Sequence, residues 1–234
     1  MDFIKETENL NFWKNKNIDI TNESEKKLFE YFILIREKNK VMNLTGIDDL
    51  EGVYLKHFFD SLTIFNFLSD EKIETVADVG SGAGFPGMVL AICMPEKTFH
   101  LIEPLKKRCL FLEEVKDALN LKNVIIINDR SENINQKFDV VTSRAVANLS
   151  ILLELCIPIT KVNGTCIAMK GSNGKLELEN SKNAISKLDS SVLKIEDLIL
   201  PVEESNRTNI YFKKEKETNK KYPRNFSQIK NKPL

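Results

Sequence analysis

The chain has 234 residues, 42% hydrophobic and 29% charged, with 34 basic residues against 34 acidic ones, enough for one domain with a real core plus an extension. Met1-Asp2 opens a polar stretch unlike a signal peptide, and the most apolar run, Ile151 to Ile159, is interrupted by Glu154 and too short to span a bilayer, so a soluble cytoplasmic protein without membrane contact is expected. Cys93, Cys109, Cys156 and Cys166 form no C-x-x-C pair and only His57 and His100 accompany them, which argues against the common zinc spacings and a disulfide framework; these cysteines read as core residues, and no metal is expected.

In chain order, Asn22 followed by Glu25 resembles a capping box opening a helix over 24–38, with Leu28, Phe32 and Ile35 on one face. Tyr54, Phe58, Leu62 and Phe65 recur at helical spacing and predict a second helix over 50–68. Strands then alternate with helices. Strands are predicted at 76–79, 98–102, 124–128, 138–143 and 165–169, with helices at 86–93, 106–119 and 148–157 between them. A helix over 175–188 and strands at 192–200 and 208–213, able to pair antiparallel, follow. This pattern predicts an α/β fold: a doubly wound, mostly parallel sheet with its ligand site at the carboxyl ends of the strands. Three parts are expected: an N-terminal helical cap (1–70), a core (71–213) and a basic tail (214–234). From Lys213 onward eight basic residues face two acidic ones, net +6, which leaves −6 for residues 1–212. A basic tail on an acidic body fits phosphate binding and fits equally a solvated extension.

Val76 to Gly87 is the most informative segment. An apolar run carrying Asp78 breaks into alternating glycines, and Pro86 sits where a helix would begin. Gly82, Gly84 and Gly87 satisfy G-x-G-x-x-G, which alone is a weak sign of a dinucleotide. Asp78 at the strand end would repel a pyrophosphate and suits a ligand with a cationic amine, such as the methionine part of S-adenosylmethionine. Glu103 closes the second strand about twenty positions after the glycines, placed for ribose hydroxyls or for capping the next helix. Asn128 to Glu132 after the third strand are polar residues able to meet an adenine edge. Arg144 and Lys170 close the fourth and fifth strands, where phosphate or carboxylate binding is expected of them.

Several segments together carry a resemblance: Asn43-Leu44-Thr45, His57 with Asp60-Ser61-Leu62, Asp78 through Gly87, Lys107-Arg108, Ser143-Arg144-Ala145, Lys170-Gly171 and the tail Lys220 to Arg224. On these the chain resembles, nearly end to end, the bacterial 16S rRNA guanine-N7 methyltransferase family, also called glucose-inhibited division protein B. The resemblance implies a class I methyltransferase (Rossmann-like) fold, S-adenosyl-L-methionine as cofactor, and 16S rRNA or the small ribosomal subunit as partner; a monomer is expected, although the sequence does not give the oligomeric state. It carries cofactor contacts onto Gly80, Phe85, Ser131, Glu132 and Arg144, which join Gly82, Gly84 and Glu103 from the reading of the turn. No residue is assigned a catalytic role, because guanine N7 has an in-plane lone pair and no proton to remove. Ser143-Arg144-Ala145 is not the turn expected for exocyclic-amine methylation. A small-molecule methyltransferase, an NAD-dependent oxidoreductase and a non-catalytic rRNA assembly factor stay open at this point.

Overall fold

The computed structural model describes residues 18–201 and 204–234; residues 1–17 of the expected cap lie outside them. Seven strands form one sheet: β1 (Thr75–Val79), β2 (Thr98–Ile102), β3 (Val124–Ile127), β4 (Phe138–Arg144), β5 (Thr160–Lys170), β6 (Ser190–Ile199) and β7 (Asn206–Lys214). Their order is β3-β2-β1-β4-β5-β7-β6. The first five run parallel, and β7 pairs antiparallel with β5 and β6. The order turns back between β1 and β4, and such a switch point opens a crevice at the carboxyl ends of the two strands.

The helices divide between the two faces. Helix α1 (Asn22–Met42), the helical stretch from Leu50 to Leu68, α2 (Gly87–Cys93) and α3 (Lys106–Ala118) bury Leu28, Phe32, Phe58, Val89 and Leu112 in one core. Helices α4 (Leu149–Cys156), α5 (Gly174–Asn180), α6 (Lys182–Lys187) and α7 (Phe226–Asn231) cover the other face around Leu153, Ala184, Phe212 and Ile229. The first core spans α1 and the sheet without a break at residue 70, so the helical cap and the expected core pack as one body.

Several sequence-based expectations change. The cap of α1 is Thr21 and not Asn22: its Oγ1 accepts from Ser24 N at 3.1 Å. The expected helix over 50–68 is a broken path. Its middle, Val53–Phe59, is π-helical, and nearly all of Val53 to Leu62 is buried, more than one stripe of a 3.6-residue helix can present. It breaks where the Thr63 hydroxyl donates to Asp60 O at 2.6 Å and competes for a helix carbonyl, and one further turn, Phe65–Leu68, follows. The helix expected over 175–188 divides at Ser181, whose hydroxyl donates back to Glu177 O at 2.7 Å.

The expected tail boundary at 213/214 falls inside β7. Lys214 is fully buried, its Nζ donating to Thr160 O at 2.8 Å. Beyond it the chain is packed: Tyr222 and Ile229 are buried, and Arg224 Nε donates to Glu154 Oε1 at 2.7 Å. Glu154, which interrupts the apolar run of α4, is fully buried and needs that cation.

Candidate functional site

The turn after β1 is built inward. Amides of Gly80 and Ser81 donate to Ile102 O, those of Gly84 and Phe85 to Ser81 O. Gly82 N donates to Glu103 Oε2 at 2.9 Å and Gly87 N to Asp78 Oδ2 at 3.0 Å. A dinucleotide would need such amides for its pyrophosphate, and here carboxylates hold two of them. Gly80, Gly82 and Gly84 have φ of 74°, 60° and 106°, the region that L side chains avoid. Only at Gly82 is the space beside the α-carbon open, the nearest atoms to a built Cβ being 3.9 Å away.

Two expectations are corrected at this turn. Asp78 does not face the crevice. Alternation along β1 points it to the face that buries Val76, and it sits 1% exposed under the N-terminus of α2. Burial pushes its carboxyl up to about 6, and Oδ1 has no hydrogen-bond partner. Gly84 likewise turns inward, where a Cβ would meet Tyr31 Oη at 2.4 Å and Met88 at 2.9 Å. It shapes the turn without lining the opening. At Gly80 a Cβ would meet Val146 Cγ2 at 2.5 Å, so side-chain bulk there would strike the loop after β4.

Glu103 is 2% exposed, and its Oε1 accepts from Leu105 N at 2.9 Å. Sequence reading left capping and ribose binding open. The cap-like bond is present, and two amide donors still leave about half of a carboxylate's acceptor capacity. Asn128 is used structurally, its amide donating to Glu103 O at 3.0 Å. Ser131 is buried and opens a short 3-10 turn with Glu132. These residues put an acid, a hydroxyl and an open glycine at the ends of β1, β2 and β3, a donor set suited to a ribose and an amine-bearing ligand without phosphates.

A cleft of about 420 Å³ opens beside the turn at the ends of β4 and β5, walled by Lys56, His57, Asp60, Arg144, Lys170 and Arg207. Arg144 Nη1 donates to Asp60 Oδ2 at 2.8 Å and to Lys56 O at 3.1 Å, a carbonyl of the π-helical segment. Arg207 Nε donates to Asp60 Oδ1 at 3.2 Å. One buried carboxylate therefore holds two arginines from different strands. Lys170 Nζ donates to Ala147 O at 2.7 Å and lies 2.8 Å from Glu177 Oε2. Glu177 also accepts from Leu149 N and fixes the loop between β4 and α4. The carboxylates expected opposite Arg144 and Lys170 are thus the chain's own, Asp60 and Glu177.

The two regions meet at Phe85, which is 7% exposed. Its ring stacks on His57 with centroids 4.4 Å apart, and the Arg144 guanidinium lies 5.3 Å from its centroid. Arg144 Nη2 lies 3.5 Å from His57 Nδ1. A guanidinium has no lone pair to offer, so Nδ1 accepts and the ring proton sits on Nε2, donated to Thr45 Oγ1 at 2.8 Å. Burial, then the Arg144 charge, push the imidazole down to about 3. His57 is neutral at neutral pH.

His57 and Asp60 carry the family resemblance without an expected role, and Glu177 and Arg207 join the site only in the structure. The three-residue spacing of His57 and Asp60 on a helix was the available signal; nothing local announced Arg207, whose partner lies 147 positions away. Among the described residues no group of metal-ligating side chains gathers, and no helix is long and apolar enough to cross a membrane.

The family described as GidB, rRNA small subunit methyltransferase G, matches residues 24–206. This chain belongs to that family. Ribosomal RNA small subunit methyltransferase G of Halalkalibacterium halodurans is 46% identical over 210 residues, covering 87% of this chain and 88% of that protein. The Macrococcus caseolyticus protein of the same name is 40% identical over 236 residues, covering 99% of each. The solved structure of M. jannaschii TYW2 in complex with AdoMet shares the fold at a TM-score of 0.56 and 17% identity, over 72% of this chain and 79% of that one. The family match spans the glycine turn and the cleft residues Lys56, His57, Asp60, Arg144 and Lys170, and stops one residue before Arg207.

Proposed function

We propose that this protein methylates N7 of a guanine in small-subunit ribosomal RNA, with S-adenosylmethionine as methyl donor. The observation that carries this reading is the Arg144–Asp60–Arg207 cleft abutting the glycine turn through Phe85. Family membership names the substrate class, since the relatives are ribosomal RNA small subunit methyltransferases.

Gly80, Gly82, Glu103, Ser131 and Glu132 hold the donor, Gly84 shapes their turn, and Phe85 with Arg144 divides donor from acceptor. When bound, S-adenosylmethionine supplies an electrophilic methyl group on a sulfonium. The chain's task is to hold the guanine so that its N7 lone pair lies in line with that group. No general base is needed, in keeping with a neutral His57 whose proton is already donated to Thr45. Arg144 is tethered by Asp60 to one side, a position suited to guanine O6 or a phosphate and not to N7, where its donors would block the lone pair. Lys56, Lys170 and Arg207 add positive charge around an RNA loop. A guanine splayed from its stack fits, because the A-form major groove is too narrow for the cleft's side chains. The reaction then takes place in the cytoplasm.

The test is transfer of labelled methyl from S-adenosylmethionine to small-subunit rRNA, followed by nucleoside analysis. N7-methylguanosine is expected; label on another atom, or on metabolites and not RNA, would overturn the reading.

A further inference from the structure

We propose that the folded C-terminal segment and α6 form a second RNA site, one that holds backbone phosphates outside the reaction cleft. This rests on the reading of the chain as an rRNA methyltransferase. A concavity of about 370 Å³ lies between α6 and the last residues, lined by Asn183, Lys187, Lys221, Arg224, Lys232 and Leu234; no Asp or Glu stands in its wall, and the carboxylate of Leu234 offsets only one of its positive charges. Arg224 is the floor, neutralised by the buried Glu154. Lys187, Lys221 and Lys232 are exposed, and none has an ion-pair partner among the described residues. Neighbouring lysines do: Lys182 lies 2.6 Å from Glu179, and Lys175 2.6 Å from Asp197. Three lysines in the wall of one hollow give it a positive field that a bound anion would offset.

The hollow is preformed. Tyr222 and Ile229 are buried and the Asn225 side chain caps α7, so an anion would meet fixed positions and not a waving tail. Its chemistry selects phosphodiesters over bases. The one guanidinium fork is spent on Glu154, and the three lysine ammonium groups are point charges that read no sequence. Its place fits the same substrate. The Arg130 guanidinium lies 4.7 Å from the centroid of the Phe226 ring, next to Ser131 at the donor side. Glu154 stands five residues into α4, roughly 8 Å along the helix from the loop that follows Arg144. An RNA strand leaving the cleft along α4 therefore runs toward these lysines.

The test uses the full chain carrying Lys187→Gln, Lys221→Gln and Lys232→Gln together, with small-subunit rRNA as the probe. RNA affinity should fall about tenfold at moderate salt, and the slope of log affinity against log salt should become shallower by roughly two. S-adenosylmethionine affinity and kcat at saturating RNA should be unchanged, and the three Lys→Arg replacements should restore binding. Unchanged affinity and salt slope in the Gln variant, beside a wild-type protein that binds and methylates rRNA, would overturn this site alone. A wild-type protein that neither binds nor methylates rRNA would overturn the parent reading and this site with it.

Discussion

At the scale of single residues, two acids carry the argument in opposite ways. Asp60 has a side chain 5% exposed and is shared by Arg144 and Arg207. Asp60→Asn removes the charge and puts an amide donor beside two guanidinium donors. Breaking one member of a buried ionic group costs about 3 kcal/mol, to be read by denaturant unfolding. Turnover should fall about a hundredfold, with S-adenosylmethionine affinity nearly kept and Asp60→Glu recovering part of the loss. A folded Asp60→Asn protein with wild-type kcat would show that the carboxylate does not position Arg144. Asp78 is the second acid. Burial raises its folded pKa to about 6 against an ordinary 3.8, so between those values the folded protein binds a proton that the unfolded chain has released. Stability therefore falls as pH rises from about 4 to about 6, by about 3 kcal/mol, and the loss persists above. Asp78→Asn keeps an acceptor for Gly87 N and removes the titration. The difference in Tm between wild type and variant, measured from pH 4 to 7, should grow in the variant's favour with pH; a constant difference would contradict it.

At the scale of elements, the parallel strands and α2 to α4 were readable because short apolar runs and glycine punctuation are local signals. What failed to show was set by distant partners. The π-helical segment depends on packing under α1 and on Arg144 reaching the Lys56 carbonyl. The break at Thr63 is fixed by Asn209 Nδ2, which donates to its hydroxyl at 2.9 Å. The C-terminal segment looked like a charge run because composition cannot show that Arg224 meets a buried glutamate 70 positions earlier. A prediction follows from that pairing. Arg224→Ala leaves Glu154 buried without its cation and should cost about 3 kcal/mol, whereas replacing both residues with leucine should cost far less. Thermal unfolding of the two variants checks it, and equal losses would mean that the pair contributes packing alone. Deleting residues 219–234 would strand the same carboxylate and strip Tyr222 and Ile229 from the core, so lost RNA binding in a truncated protein would not by itself report on charge.

At the scale of the whole molecule, the sheet brings the glycine turn and the cationic cleft, the proposed donor and acceptor regions, together at one switch point between β1 and β4. In the proposed donor half, the glycines and Glu103 lie within 24 positions of one another, so the turn itself was a local signal while the inward placement of Asp78 and Gly84 was not. The acceptor half was not legible, because Asp60, Arg144, Lys170 and Arg207 converge only once the antiparallel β7 is laid beside β5. That cleft holds an imidazole pushed down to about 3. Guanine N7 needs no deprotonation to accept a methyl group, so neither partner in the reaction requires a proton to leave near neutral pH. The single-turnover rate of methyl transfer at saturating donor and RNA should therefore be nearly flat from about pH 6.5 to about 8.5. Below that range it should change only as Asp78 picks up its proton near 6 and the turn above it adjusts. His57→Gln, which keeps an amide donor for Thr45, should leave the flat region flat while lowering its height through lost stacking on Phe85. A bell or a single ionisation between pH 6.5 and 8.5 that vanishes in His57→Gln would make the imidazole a proton carrier and remove the positioning account of this cleft.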